Sequence, residues 1–270
     1  MDIFDQFMKY MWHRIKAKNQ HGIHSPFLFE LYNNVITDQT PYYAFEQIEA
    51  VRAKLLLTRK YIKVNDYGAK PISLPFKNDD KKTNEDKRRI STIARRSLKM
   101  PKHGQLLFRL VNRFQPKTIL ELGTSLGVTT LYLAAPNQQA EVVTMEGCPN
   151  ISKVAQITFD KVKVPNVKLV NKRFEEGLNS YLDEIDQLDF AFFDGNHAKE
   201  ATLRYFNWCL ALATPSSVFV FDDIYWSEEM MEAWDEIKKH PKVTTTIDLF
   251  AMGIVFFNTD LSKEDVKLKY

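Results

Sequence analysis

Cysteine is scarce: the 270 residues hold two, Cys148 and Cys209, neither in a CxxC or CxxH pattern. That scarcity excludes a disulfide framework and a cysteine-rich zinc site, and it predicts reduced thiols in a cytoplasmic protein. Long apolar runs are missing as well, since none exceeds strand length, which argues against a membrane-spanning helix. The first residues carry Asp2 and Asp5 and no continuous apolar stretch, so no secretory signal is expected. Charge is nearly balanced, and a net +3 is too mild to mark a nucleic-acid binder by itself. No internal repeat is visible. What the chain does have is 44% hydrophobic residues, enough for a substantial core.

From about Lys117 onward, strand and helix patterns alternate with little slack. Thr118–Leu122, Val142–Met145, Val167–Val170, Leu188–Phe193 and Ser217–Phe221 read as buried strands. Helical periods lie between them. Leu126, Leu131, Tyr132 and Ala135 form one inner stripe, and Leu203, Phe206 and Leu210 another. A helix capped by Asn150 runs until Pro165 stops it, and a further helix is expected near Glu175–Glu184. Ser227 opens a helix with Glu228 and Glu229 at its positive end and Lys238, Lys239 and His240 at its negative end. Two β-rich runs, 243-VTTTIDL-249 and 252-MGIVFFN-258, are too close for a crossover and predict an antiparallel pair. The fold class is therefore α/β, a doubly wound Rossmann-like sheet with a terminal antiparallel hairpin.

Residues 1–99 read instead as a mostly helical extension, with 100–270 as the sheet domain. Phe4, Phe7, Met8, Met11, Trp12 and Ile15 make an amphipathic helix, expected to pack on the domain or to form a homodimer. Ser25-Pro26 signals a second helix and Ala44–Leu57 a third. Residues 63–92 read as a loop or lid, and between Lys77 and Lys102 ten Lys or Arg stand against four acids. His21 and His24 read as part of a helix-entry turn and not as a metal pair.

Chemistry concentrates at strand ends. In 118-TILELGTSLGVTT-130, an apolar strand ends in Glu121, then Gly123 and Gly127 precede a helix. Such a turn lets a ligand approach bare backbone at a helix N-terminus. The dinucleotide fingerprint is absent, because it needs glycine at Ser125 and a small residue at Val128. An acid beside the turn suits a cationic ligand such as S-adenosylmethionine, and Glu146 after the second strand suits ribose hydroxyls. Two more strand ends carry acids, 190-FAFFDGNH-197 and 219-VFVFDDIYW-226. In an open α/β sheet Asp194, Asp222 and Asp223 should converge. Three carboxylates repel one another unless a cation or protons intervene, and an oxygen-ligated divalent ion such as Mg²⁺ is the simple solution. His197 is placed to act as general base. Tyr225 and Trp226 read equally as walls of a substrate site or as packing.

The segment ELGTSLG resembles motif I of the class I S-adenosylmethionine-dependent methyltransferases, and 142-VVTMEGCP-149 resembles their second motif. The likeness is to the catechol-type and bacterial O-methyltransferase branch, where a Gly-Gln pair opens the preceding helix, as Gly104-Gln105 do here. It spans roughly residues 100–258. It implies that Glu121, Gly123, Thr124 and Ser125 line the methionine part of the cofactor, that Glu146 holds ribose, and that Thr129 helps at the carboxylate. Cys148 and Arg173-Phe174 take the places usual for adenine contacts. The same branch ligates its metal through an Asp after strand four and an Asp-Asn pair after strand five; here the pair is Asp-Asp. The resemblance implies methyl transfer to a small-molecule hydroxyl, phenolic or catechol-like first and sugar or natural product next. Two alternatives stand beside it: an RNA or protein methyltransferase using the basic segment, and a non-catalytic cofactor-binding module. Against the first, the chain lacks the Asn/Asp-Pro-Pro-aromatic motif at strand four.

Overall fold

The computed structural model describes residues 3–65 and 87–270. Most of the predicted loop, residues 66–86, including the acids and lysines of 77–86, lies outside the described residues. The N-terminal part comprises α1 (Ile3–Lys16), a 3₁₀ turn (Gln20–Gly22), α2 (Pro26–Leu31) running into a π turn (Tyr32–Ile36), and α3 (Tyr43–Leu57). Ser25 Oγ accepts from the Leu28 amide with Pro26 in the first turn, as the Ser-Pro signal predicts. Strands β1 (Tyr61–Lys63) and β2 (Lys87–Arg89) pair antiparallel, so the ends of the expected loop are a small sheet. Then come α4 (Ile90–Ser97) and α5 (Pro101–Phe114).

The sheet domain runs β3 (Thr118–Leu122), α6 (Val128–Ala134), β4 (Glu141–Met145), α7 (Pro149–Val162), β5 (Val167–Val170), α8 (Phe174–Leu182), β6 (Leu188–Phe193), α9 (Lys199–Leu210), β7 (Ala213–Asp222), α10 (Glu228–Lys239), β8 (Thr245–Asp248), β9 (Met252–Phe256) and β10 (Glu264–Lys267). Their order across the sheet is β10-β8-β9-β7-β6-β3-β4-β5. Strands β3 to β7 are mutually parallel, and β9 lies antiparallel between β7 and β8, which gives the expected hairpin. The chain winds outward from β3 through β4 to β5, then restarts at β6 on the other side. The carboxyl ends of β3 and β6 therefore flank the switch point at which such sheets bind ligands.

Strand β6 and the second half of β7, Val218–Phe221, are almost continuously apolar because both faces are covered there. Phe190, Phe192, Val218 and Val220 join the core on one face, and Phe193, Phe219 and Phe221 the core on the other. The extension shares these cores: Leu28, Leu31 and Ile36 pack with Leu106, Leu110 and Ile119, while Ile48, Leu55 and Ile93 pack with Phe108, Leu126 and Tyr132.

Three local expectations change. The apolar stripe of α1 does not pack on the domain: Phe4, Phe7, Trp12 and Ile15 are exposed, and the inward face is His13, whose Nε2 lies 2.9 Å from Asp248 Oδ1. Asn150 does not cap α7, which starts one residue earlier with Pro149 after Cys148, and its amide donates instead to the Lys63 carbonyl. The inner face of α9 uses Ala201, Tyr205 and Cys209 with Phe206 and Leu210, leaving Leu203 half-buried.

Candidate active site

The turn after β3 is shaped by contacts that leave no room for side chains. Gly123 has φ 109°, and a Cβ there would overlap the carbonyl oxygen of Asp194 at the end of β6. Gly127, at φ 85°, caps α6, and a Cβ would come within 2.7 Å of the Phe159 ring. Between them Ser125 takes φ 47°, a strained value for a residue with a side chain. Amides of Gly123 and Thr124 donate to the Met145 carbonyl, which draws the end of β3 against that of β4. Glu146 is one residue past β4. Its Oε2 accepts from the Ser125 amide at 3.0 Å and its Oε1 from the Cys148 amide at 2.8 Å. These two amides fix the position of the carboxylate at the cavity wall.

Glu121 belongs to the interior instead. It sits opposite Thr144 and Phe192 in the sheet and is fully buried. Its Oε2 accepts from the Thr130 and Thr144 hydroxyls at 2.5 and 2.6 Å, while Oε1 has no partner among the described residues. Burial pushes its carboxyl up to about 7, against the pull of the two hydroxyls. A carboxyl protonated in the folded state and ionised in the unfolded one stabilises less as pH rises between the two pKa values. Stability of the ligand-free protein should therefore fall between about pH 4.5 and pH 7, by about 3 kcal/mol from this group. Urea titrations at several pH values measure that slope, and Glu121→Gln should flatten it.

The acids of β6 and β7 converge as expected, but not around an empty space. Lys99, from the loop between α4 and α5, puts Nζ 2.9 Å from Asp194 Oδ1, in contact with Asp222 Oδ2, and 3.8 Å from Asp223 Oδ2. Burial alone would lower its ammonium, yet the three carboxylates hold it well above the ordinary lysine value. Burial pushes Asp194 up to about 6 and raises Asp222 strongly, both against the attraction of Lys99. His197 Nε2 lies 3.8 Å from both Asp194 Oδ1 and Asp223 Oδ2. Burial lowers this imidazole from its usual 6.5 against the pull of Asp223 and Asp222, which favours the neutral form. Atoms of Asp194, His197 and Asp222 lie close enough together to ligate one ion. With the Lys99 ammonium among them they do not fit a divalent cation, whose charge it would oppose. The cation that stands among the three acids is a lysine that sequence analysis did not single out.

These groups border one cavity of about 690 Å³, within the range of small-molecule sites. Of the predicted residues, Gly123, Ser125, Glu146, Arg173 and Phe174 line the side of the glycine turn. Asp194, His197 and Asp223 line the other side, with Lys99 and Trp226. Glu121, Thr124, Gly127 and Thr129 lie behind the turn, and Asp222 is buried behind Lys99. Cys148 is buried too, facing the Asn65 amide, so Gly147 and Ile151 border that part of the cavity. The two aromatics separate: Trp226 faces the cavity, while Tyr225 stacks on Phe250 and donates to Asp248. His21 and His24 are exposed and join no cluster of metal-ligating type among the described residues.

Residues 120–224 match the family model described as a methyltransferase domain. A catechol O-methyltransferase of Niastella koreensis is 28% identical over 134 residues, covering 46% of this chain and 57% of that protein. A catechol O-methyltransferase of Mycobacterium tuberculosis is 30% identical over 127 residues, covering 45% and 54%. The chain thus spans about half the length of the curated relatives it matches. The fold is also that of the O-methyltransferase from Bacillus cereus solved in complex with SAH, with a TM-score of 0.56 at 19% identity, covering 82% of this chain and 93% of that one. No helix among the described residues is long and apolar enough to cross a membrane. The chain thus has the fold of the solved O-methyltransferases, its residues 120–224 match a methyltransferase domain, and about half of it is similar to catechol O-methyltransferases.

Proposed function

We propose that this protein moves the methyl group of S-adenosylmethionine to a hydroxyl oxygen of a small molecule, with phenolic or catechol-like compounds first among acceptors. One observation carries the reading: a single cavity at the sheet's switch point borders a glycine turn with Glu146 on one side and Asp194, His197 and Lys99 on the other. The residues suit the cofactor, because Gly123 leaves backbone bare and Glu146 presents a fixed carboxylate. When bound, S-adenosylmethionine supplies a sulfonium methyl, which passes to the acceptor oxygen while the carbon–sulfur electron pair stays on sulfur. Glu146 holds the ribose hydroxyls, and Phe174 and Ile151 wall the adenine side. His197, neutral and at the cavity wall, takes the acceptor's proton, and the Trp226 indole offers a flat apolar surface. Closure of both reactants within one cavity supplies much of the rate. The basic segment favours this reading over an RNA substrate, since its described part puts Arg88, Arg96 and Lys99 along the cavity.

Isothermal titration with S-adenosylmethionine and with S-adenosylhomocysteine tests the proposal, together with methyl transfer to a panel of phenols. One site per chain is expected. Glu146→Ala should weaken binding by about tenfold or more, as lost hydrogen bonds to a diol require. His197→Ala should lower kcat by about a hundredfold while leaving cofactor affinity unchanged. Absence of heat with either compound sinks the reading.

A further inference from the structure

The Lys99 ammonium is held in place from both sides of its backbone. Arg52 of α3, itself paired with Glu49, donates to the Lys99 carbonyl at 2.6 Å. Two residues earlier, Ser97 Oγ lies 2.8 Å from Ser125 Oγ of the glycine turn. On the other side Pro101 starts α5 after Met100. Lys99 is therefore built into the site, with its side chain only 14% exposed. An ammonium has three N–H donors. Asp194 and Asp222 lie within hydrogen-bonding reach, whereas Asp223 at 3.8 Å lies beyond it. One donor is left for a ligand in the cavity that Lys99 borders.

We propose that Lys99 is the resident cation of this site, occupying the place of a divalent metal among Asp194, Asp222 and Asp223 and donating its remaining N–H to the acceptor's hydroxyl oxygen. The proposal rests on the methyl-transfer reading above. In the step, the acceptor oxygen bonds to the methyl carbon, the carbon–sulfur bond breaks toward sulfur, and the hydroxyl proton passes to His197. Lys99 stabilises the negative charge that the oxygen gains as its proton leaves for His197, which the methyl then neutralises, and it keeps its own protons. The substrate class narrows accordingly. A divalent ion rewards two neighbouring oxygens that chelate it, whereas an ammonium is a point charge that holds one. Acceptors with a single isolated hydroxyl should serve as well as vicinal diols.

The test uses the 270-residue chain freed of metal by chelator, with Mn²⁺ alone as the binding probe. By calorimetry and electron paramagnetic resonance the wild type should take up no stoichiometric Mn²⁺ at millimolar concentration. Lys99→Ala and the longer, neutral Lys99→Met should gain a Mn²⁺ site while binding S-adenosylhomocysteine within a few-fold of wild type. Transfer to a monohydroxylated phenol should change less than twofold on adding EDTA, and should fall about a hundredfold in either variant, as for loss of one oxyanion donor. Stoichiometric Mn²⁺ binding by the wild type overturns the proposal even if both variants fail to fold. So does unchanged turnover in Lys99→Ala. Failure of the wild type to bind S-adenosylhomocysteine instead removes the function reading, and the Mn²⁺ result still reports on Lys99 separately.

Discussion

Gly123→Ala is expected to abolish cofactor binding and to destabilise the fold by about 3 kcal/mol or more. Two costs add at that position. A residue with a Cβ rarely adopts φ 109°, and the new methyl would overlap the Asp194 carbonyl oxygen. That oxygen is backbone at the end of β6, so relief requires the strand end to shift. Such a shift moves Asp194 and opens the turn that holds Ser125 against Glu146. Gly127→Ala meets the Phe159 ring instead, a side chain that can pivot, and should cost less despite its φ of 85°. Urea midpoints and calorimetry with S-adenosylhomocysteine compare the two variants. A Gly123→Ala protein of wild-type stability and affinity would mean that the turn is not shaped as described.

Asp222→Ala should lose about 3–5 kcal/mol, the cost of stripping one partner from a buried ion pair. Asp222 is 1% exposed and touches the Lys99 ammonium directly, so its removal leaves that charge leaning on Asp194. Asp223→Ala should cost no more than about 1 kcal/mol, because its side chain is 35% exposed and lies 3.8 Å from Nζ. A neutral pair, Asp222→Leu with Lys99→Met, should recover most of the stability, since well-packed apolar replacements of buried ion pairs are often neutral. Urea unfolding of the single and double variants gives the coupling energy. If Asp222→Ala unfolds with the wild type's midpoint, Lys99 and Asp222 are not paired in solution.

The sheet was legible because its strands are apolar runs bounded by acids or turns, and the site was legible as far as strand ends reveal it. A shift of one or two positions decides where such an acid sits. Glu146 lies just past β4 and faces the cavity, whereas Glu121 precedes Leu122 and so falls on the next-to-last rung of β3, opposite Thr144. Pattern alone does not say on which rung a strand stops. Lys99 was hidden for another reason: within a stretch of ten basic residues a lysine looks like solvated surface, and its partner Asp222 is 123 positions away. Periodicity gave the helix of α1 but not the direction of its stripe, because His13 pairing with Asp248 turns the polar side inward. Strand β10, EDVK, offers Val266 as its buried apolar residue and escaped notice.

Lys99 rides on a connector of the helical extension, while its counter-charges ride on the sheet. With Lys99 in the role proposed above, demand for a metal and possession of the acids would be encoded in separate stretches of chain. A lineage of such proteins could gain or shed its dependence on dissolved ions by altering that connector alone, and the strands would carry no trace of the change.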